Sequence, residues 1–165
     1  MRTELYWVQG AWPGKLALSP RPRGGDWLQD EIRDWKQLGI HLVLSLLTPE
    51  EERELDLRQE ADETRAQGLE FLSFPIADRQ VPRSESKLAT VLESLKTTLA
   101  AGRNALIHCR QGVGRTGLVA ACLLIGNGIS PGAAVAEISS ARGVSVPETK
   151  EQREWIDHYA TAFTN

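Results

Sequence analysis

Residues 41–47 form a continuous apolar run, and residues 104–108, with an apolar middle, read as another buried strand. A strand that is apolar on both sides has to lie inside a sheet covered on both faces, because any solvent-facing side would leave part of the run exposed. Around these two runs, segments with helical apolar spacing alternate with short extended ones. The expected fold class is therefore α/β, with a central, mostly parallel sheet of four to five strands flanked by helices on both faces. In such sheets, ligands bind outside the carboxyl ends of the strands.

Local signals supply the remaining elements. Residues 5–8 and 15–18 are candidate short strands, separated by a turn at Trp12-Pro13-Gly14. After the Pro/Arg/Gly loop of residues 20–25, Asp26 is predicted to cap a helix running to Leu38, with Trp27, Leu28, Ile32, Trp35 and Leu38 at roughly helical spacing and Gly39 ending it. Thr48-Pro49-Glu50-Glu51 is a capping box with proline at the first helical position, and the polar stretch to Gln67 makes one broken helix or two. Residues 69–74 give the next strand and 84–101 a helix. Two more helices begin at Ser130-Pro131 and at Pro147-Glu148. A chain of 165 residues is expected to form one domain, residues 1–165.

The strand at 104–108 runs into His108-Cys109-Arg110-Gln111-Gly112-Val113-Gly114-Arg115-Thr116-Gly117, followed by the apolar residues Leu118 to Ile125. Glycines in this turn free the backbone N–H groups of Arg110, Gln111, Gly112, Val113, Gly114 and Arg115 to converge on one point. That is a nest for the oxygens of a phosphoryl group, and the following helix adds its N-terminal dipole. Arg115 would close the ring, since its planar fork can hold two phosphoryl oxygens at once. The same donors would stabilise a thiolate on Cys109 beneath the nest. His108 is expected to hold the loop in shape rather than to accept a proton. The hydroxyl of Thr116 is expected near the sulfur, where it could hydrogen-bond the thiolate as a phosphocysteine breaks down. The oxygen that leaves needs a proton, and Asp78 is the candidate donor. It lies directly after a strand in Pro75-Ile76-Ala77-Asp78-Arg79-Gln80-Val81-Pro82, and once deprotonated it could activate the hydrolytic water.

The run from His108 to Thr116 resembles the His-Cys-x5-Arg-Ser/Thr signature of the cysteine-dependent protein phosphatases. Asp78, some thirty residues upstream, is similarly placed to the Asp loop of the dual-specificity class. From about residue 75 onward, the segments around Asp78, Leu118 to Leu124 and Ile129-Ser130-Pro131 resemble the kinase-associated phosphatase branch of that class; small bacterial tyrosine/dual-specificity phosphatases are also similar. The resemblance implies a cysteine-phosphatase-like fold and hydrolysis of phosphotyrosine and/or phosphoserine/threonine in a phosphorylated protein. Pro147-Glu148-Thr149-Lys150-Glu151-Gln152 resembles a Glu-Thr-x-x-Gln segment of bacterial relatives, which would bring Gln152 toward the pocket or leave it an exposed helix residue.

Composition narrows the field without choosing a substrate. A formal charge of −3 with 25% charged residues gives no general basic field for nucleic acid. Two cysteines and no secretory apolar region at Met1-Arg2-Thr3-Glu4 point to the cytoplasm, and no apolar run is long enough to span a membrane. The histidines at 41, 108 and 158 are too scattered for a metal site, so neither metal nor cofactor is expected. Cys122, within the apolar helix, reads as core rather than as a redox partner of Cys109. Arg21, Arg23, Arg79, Arg83 and Arg110 leave open a polyanionic small substrate such as a phosphoinositide or nucleotide, and Trp12 and Trp27 could form a pocket wall. A non-catalytic phosphoprotein-binding module is disfavoured by the presence of cysteine, arginine and acid together. A sulfurtransferase or arsenate reductase is disfavoured by the Arg-Thr ending and the upstream Asp loop.

Overall fold

The computed structural model describes residues 4–10 and 12–164; Met1, Arg2 and Thr3, on which part of the leader reading rests, lie outside them. Five strands, β1 (Tyr6–Val8), β2 (Leu16–Ser19), β3 (Ile40–Ser45), β4 (Glu70–Ser73) and β5 (Asn104–His108), form one sheet in the order β1-β2-β5-β3-β4. All neighbours are parallel except β1, which runs antiparallel to β2 at one edge. The mostly parallel sheet expected from the apolar runs is the one observed, with β5 at its centre.

Alternation along the strands sorts their side chains to two cores. Leu16, Leu18, Leu42, Leu44, Ala105 and Ile107 face α4 (Glu85–Ala100), α5 (Gly114–Gly126), α6 (Pro131–Arg142) and α7 (Lys150–Thr164). Ala17, Val43 and Leu106 face the smaller cluster that contains Leu28, Ile32 and Trp35 of α1 (Leu28–Gln37) and Leu57. Helix α5 is apolar all round because it is buried all round: from Gly114 to Ile125 every residue is inaccessible.

The polar stretch after β3 forms two helices, α2 (Pro49–Glu54) and α3 (Glu60–Ala66). Thr48 caps α2 through the predicted box, accepting from the Glu51 N–H while the Glu51 carboxylate accepts from the Thr48 N–H. Ser84 and Ser130 cap α4 and α6 with their side chains alone, accepting from the Lys87 and Ala133 N–H groups. The expected cap at Asp26 is not formed. Gly25 takes a left-handed φ of 60° and starts a single 3-10 turn, so α1 begins only at Leu28. Trp27 and Leu38, placed on the apolar stripe by spacing, are therefore on the surface, whereas Leu28, Ile32 and Trp35 are buried. Helix α7 starts later than expected, after Thr149, whose hydroxyl accepts from the Gln152 N–H.

The loops that leave β3, β4 and β5 at their carboxyl ends meet above the sheet, as parallel topology requires. No helix among the described residues is long and apolar enough to cross a membrane.

Backbone packing at Gly14 leaves no room for a side chain, because a Cβ there would lie 2.0 Å from the Arg103 carbonyl oxygen. Gly132, in the first turn of α6, has nothing within 4 Å of the equivalent position. Thermal unfolding should therefore separate the two substitutions: Gly14→Ala loses about 1–3 kcal/mol through overpacking, whereas Gly132→Ala gains up to about 1 kcal/mol through helix propensity.

Candidate active site

Between β5 and α5 the backbone carbonyls are all claimed from outside the turn. The His108 carbonyl accepts from the Leu46 N–H (3.0 Å) and the Arg110 carbonyl from the Arg21 N–H (3.1 Å). Arg142 donates from Nη2 to the Gln111 carbonyl (3.0 Å) and from Nε to the Gly112 carbonyl (3.1 Å), with its guanidinium lying 4.0 Å over the Tyr6 ring. The Cys109 carbonyl faces His108 Nδ1 at 3.2 Å, and since a carbonyl only accepts, the ring nitrogen donates. In a trans peptide the N–H points opposite to the C=O. Anchoring the carbonyls of 109–112 outward thus turns the N–H groups of 110–113 inward, and the Gly112 N–H donates to Cys109 Sγ at 3.3 Å. Gly112 is required twice over: its φ is +75°, and a Cβ would lie 2.6 Å from the Ser19 backbone.

Arg115, in the first turn of α5, is almost inaccessible at 1%. Four of its five N–H donors are used. Nη1 donates to Glu51 Oε1 (2.6 Å) and to the Ile76 carbonyl (2.8 Å), and Nη2 to Glu51 Oε2 (2.9 Å) and Asp78 Oδ1 (3.1 Å). Burial by itself would raise the Glu51 carboxyl; the hydrogen bonds from Arg115 and the Thr48 backbone, with the charge of Arg115, outweigh it and hold Glu51 below its ordinary value. Burial likewise works against the charge on Arg115, and Glu51, Cys109 and Asp78 together more than restore it. Arg110, half exposed, lies 3.7 Å from Glu51 and 3.5 Å from Glu54. Asp78, Cys109 and Arg115 line one cleft of about 210 Å³ together with Arg79, Arg110, Gln111 and Glu148.

Behind the turn, His108 Nε2 lies 2.6 Å from Glu60 Oε2, with both side chains fully buried and the His108 ring 5.9 Å from that of Trp35. The Thr116 hydroxyl is also buried but has no hydrogen-bond partner among the described residues, so the expected bond to the sulfur is not made here. Gln152 is fully buried, not an exposed helix residue. Its Oε1 accepts from the Glu148 and Thr149 N–H groups and its Nε2 donates to the Gln80 carbonyl, which ties the start of α7 to the Asp78 loop. Cys122 lies within α5, where burial pushes its thiol far up. Arg21 approaches the turn only through its backbone, and Arg23 pairs with Glu31 and stacks 4.4 Å from the Trp27 ring. Among the described residues no group of three His, Cys, Asp or Glu side chains could hold a metal ion.

Sequence reading missed Glu51, Glu60, Arg142 and Glu148. Glu51 carried a signal only as the capping-box acid, which speaks of a helix terminus rather than of Arg115, and Glu148 only as the first residue of the Glu-Thr-x-x-Gln segment, which drew attention to Gln152 instead.

Glu51 gives the fold a definite acid response. Its folded carboxyl titrates below the unfolded one, so its contribution is fully present above the ordinary glutamate value and is lost as pH falls through the lower folded value. Chemical denaturation between about pH 5 and pH 3 should show a flatter pH dependence for Glu51→Gln than for the wild type. At neutral pH the variant should be less stable by roughly 3 kcal/mol, the usual cost of breaking one side of a buried pair.

Residues 5–157 match the family model described as Swiss Army Knife protein, DSP-PTPase phosphatase domain. The chain is 31% identical to cyclin-dependent kinase inhibitor 3 of Homo sapiens over 134 residues, covering 80% of this chain and 63% of that protein. It thus spans a little under two thirds of that relative's length. Its fold is similar to that of kinase associated phosphatase with the catalytic cysteine replaced by serine, at a TM-score of 0.89 and 24% identity over 99% of this chain and 97% of the other. PTPMT1 in complex with PI(5)P is similar at a TM-score of 0.77 and 21% identity, covering 90% and 92% of the two chains. Structural likeness at these identities bears on the fold, and the family match spans nearly the whole sequence: this chain belongs to the DSP-PTPase family of phosphatase domains.

Proposed function

We propose that this chain is a phosphatase that hydrolyses phosphotyrosine and phosphoserine/threonine monoesters of proteins through a phosphocysteine on Cys109. The observation that carries this reading is the convergence on one small cleft of Cys109 from the turn after β5, Arg115 from the first turn of α5 and Asp78 from the loop after β4. In the first step the Cys109 thiolate attacks phosphorus, the phosphorus–oxygen bond to the side chain breaks, and Asp78 gives its proton to the departing oxygen. In the second, water attacks the phosphocysteine, Asp78 takes the water proton, and sulfur leaves as thiolate. The inward N–H groups and Arg115 stabilise the charge on the phosphoryl oxygens, so the chemistry needs no metal.

The hydrogen bonds of Arg115 support a coupling between binding and acid catalysis. Glu51 occupies the Nη1/Nη2 edge, leaving the edge formed by Nε and Nη2 for the phosphoryl group, and on that edge Nη2 now donates to Asp78. Two phosphoryl oxygens can be held bidentately only if they take that N–H from Asp78. Binding of the dianion would thus release the Asp78 carboxyl from Arg115 at the moment it needs a proton.

Three of the arginines that could have favoured a polyanionic substrate are paired with carboxylates: Arg23 with Glu31, Arg79 with Glu148, and Arg110 with Glu51 and Glu54. This supports a singly phosphorylated protein residue over a phosphoinositide.

Cys109→Ser should abolish hydrolysis of p-nitrophenyl phosphate while still binding vanadate or phosphate by titration calorimetry; turnover in this variant would remove the covalent mechanism. Asp78→Asn should slow a phosphothreonine peptide by about 10²–10⁴-fold, the usual span for a general acid, but p-nitrophenyl phosphate far less, since its leaving group needs little protonation. Equal losses on both substrates would place the acid elsewhere.

A further inference from the structure

Glu148 lies in the connection between α6 and α7, where neither helix dictates its side chain. Its carboxylate nevertheless reaches the catalytic cleft. Oε1 accepts from the Gly114 N–H at 3.2 Å and Oε2 accepts from Arg79 Nη1 at 3.3 Å. The absence of a side chain at Gly114 is what admits it, because a Cβ there would lie 2.7 Å from Glu148 Oε1. The Gly114 N–H opens α5, a thirteen-residue helix, and stands at the positive end of its dipole beside the turn that holds Cys109. A carboxylate there makes the same kind of charge-assisted bond that a phosphoryl oxygen would make.

Two anionic acceptors cannot share one N–H, and a dianion in the turn would repel a carboxylate that close. We propose that Glu148 is a specificity-determining residue: the substrate phosphoryl group must displace its carboxylate from Gly114, and the displaced carboxylate, still beside Arg79, then disfavours further negative charge next to the phosphate. The proposal rests on the phosphatase reading and narrows its substrate class to singly phosphorylated residues with basic neighbours. Arg79 fits this arrangement. It adopts a left-handed φ of 64° immediately after Asp78, and its pairing with Glu148 leaves that cation neutralised rather than open to a second phosphate.

The test uses the full chain and three variants, Glu148→Gln, Glu148→Ala and Glu148→Asp, the last too short by one methylene to reach Gly114. Thermal unfolding selects the variants that fold. Titration calorimetry with inorganic phosphate should show binding at least about fivefold tighter for the Gln and Ala variants than for the wild type, as expected when a competing like charge is removed; the Asp variant should move in the same direction. The ratio of kcat/KM between phosphotyrosine peptides with Lys/Arg neighbours and with Asp/Glu neighbours should exceed one in the wild type and fall toward one in the Gln variant. Unchanged or weaker phosphate binding in the folded variants overturns the proposal, as does a peptide ratio that the substitution does not alter. Because phosphate binding is read without turnover, a wild type that binds phosphate but hydrolyses no phosphomonoester defeats the phosphatase reading separately; one that binds no phosphate defeats both.

Discussion

The guanidinium of Arg115 is the point on which the loops at the carboxyl end of the sheet are assembled. It projects from the helix after β5, takes both carboxylate oxygens of Glu51 from the helix after β3, and takes the Ile76 carbonyl and the Asp78 carboxylate from the loop after β4. One buried cation thereby sets the relative positions of three loops that the sheet alone leaves free. A buried ion pair is weak evidence for net stability, since desolvating both partners costs about as much as their attraction returns. Its value here is geometric. With every Nη hydrogen engaged, the planar group has a single orientation, and Arg115 lines the cleft that contains Cys109.

The turn around Cys109 follows the same logic of constraint from outside. Convergent N–H groups repel one another in the absence of an anion, so a nest of this kind holds its shape only if the opposite ends of its peptide units are secured. Arg21, Arg142, His108 and Leu46 do that through four separate elements or loops. Glu60 extends the scaffold one layer deeper by holding His108 from a wholly buried position. On the proposed reading such a site would be preorganised: little structural change would have to accompany charge development on a phosphoryl group, and that is where electrostatic catalysis gains most.

The extent to which this was legible in the sequence tracks the range of the signals. Strands β3 and β5 were visible because strands buried on both faces are rich in apolar residues, and the cap Thr48 and the helix start at Ser130-Pro131 were visible because these signals are local. Cys109, Arg115 and Asp78 could be picked out as candidates by residue type, beside glycine and after strands, and the structure brings the three to one cleft. Glu51, Glu60, Arg142 and Glu148 could not, since each acts on a residue at least thirty positions away and surface-type charges carry no spacing rule. The misplaced start of α1 has a local cause. A left-handed Gly25 inserted a tighter turn, and Asp26, the best cap by residue type, fell inside it. Gln152 was drawn toward the pocket by resemblance, and its amide proves to be spent on the Glu148 and Thr149 N–H groups and the Gln80 carbonyl.

The central position of β5 also fixes when in the life of the chain its chemistry becomes available. Its neighbours β2 and β3 lie far upstream, the partner of Arg115 is 64 residues away, and the Glu148 contact comes from 34 residues beyond Gly114. Contacts of such span form late, after most of the loop-closure entropy has been lost. A chain still emerging from synthesis therefore holds Cys109 without the buried arginine, the oriented amides or the neighbouring helix. On the phosphocysteine reading proposed above, a cysteine that depends on the completed tertiary structure for its activation would be spared oxidation and stray alkylation in partly folded molecules.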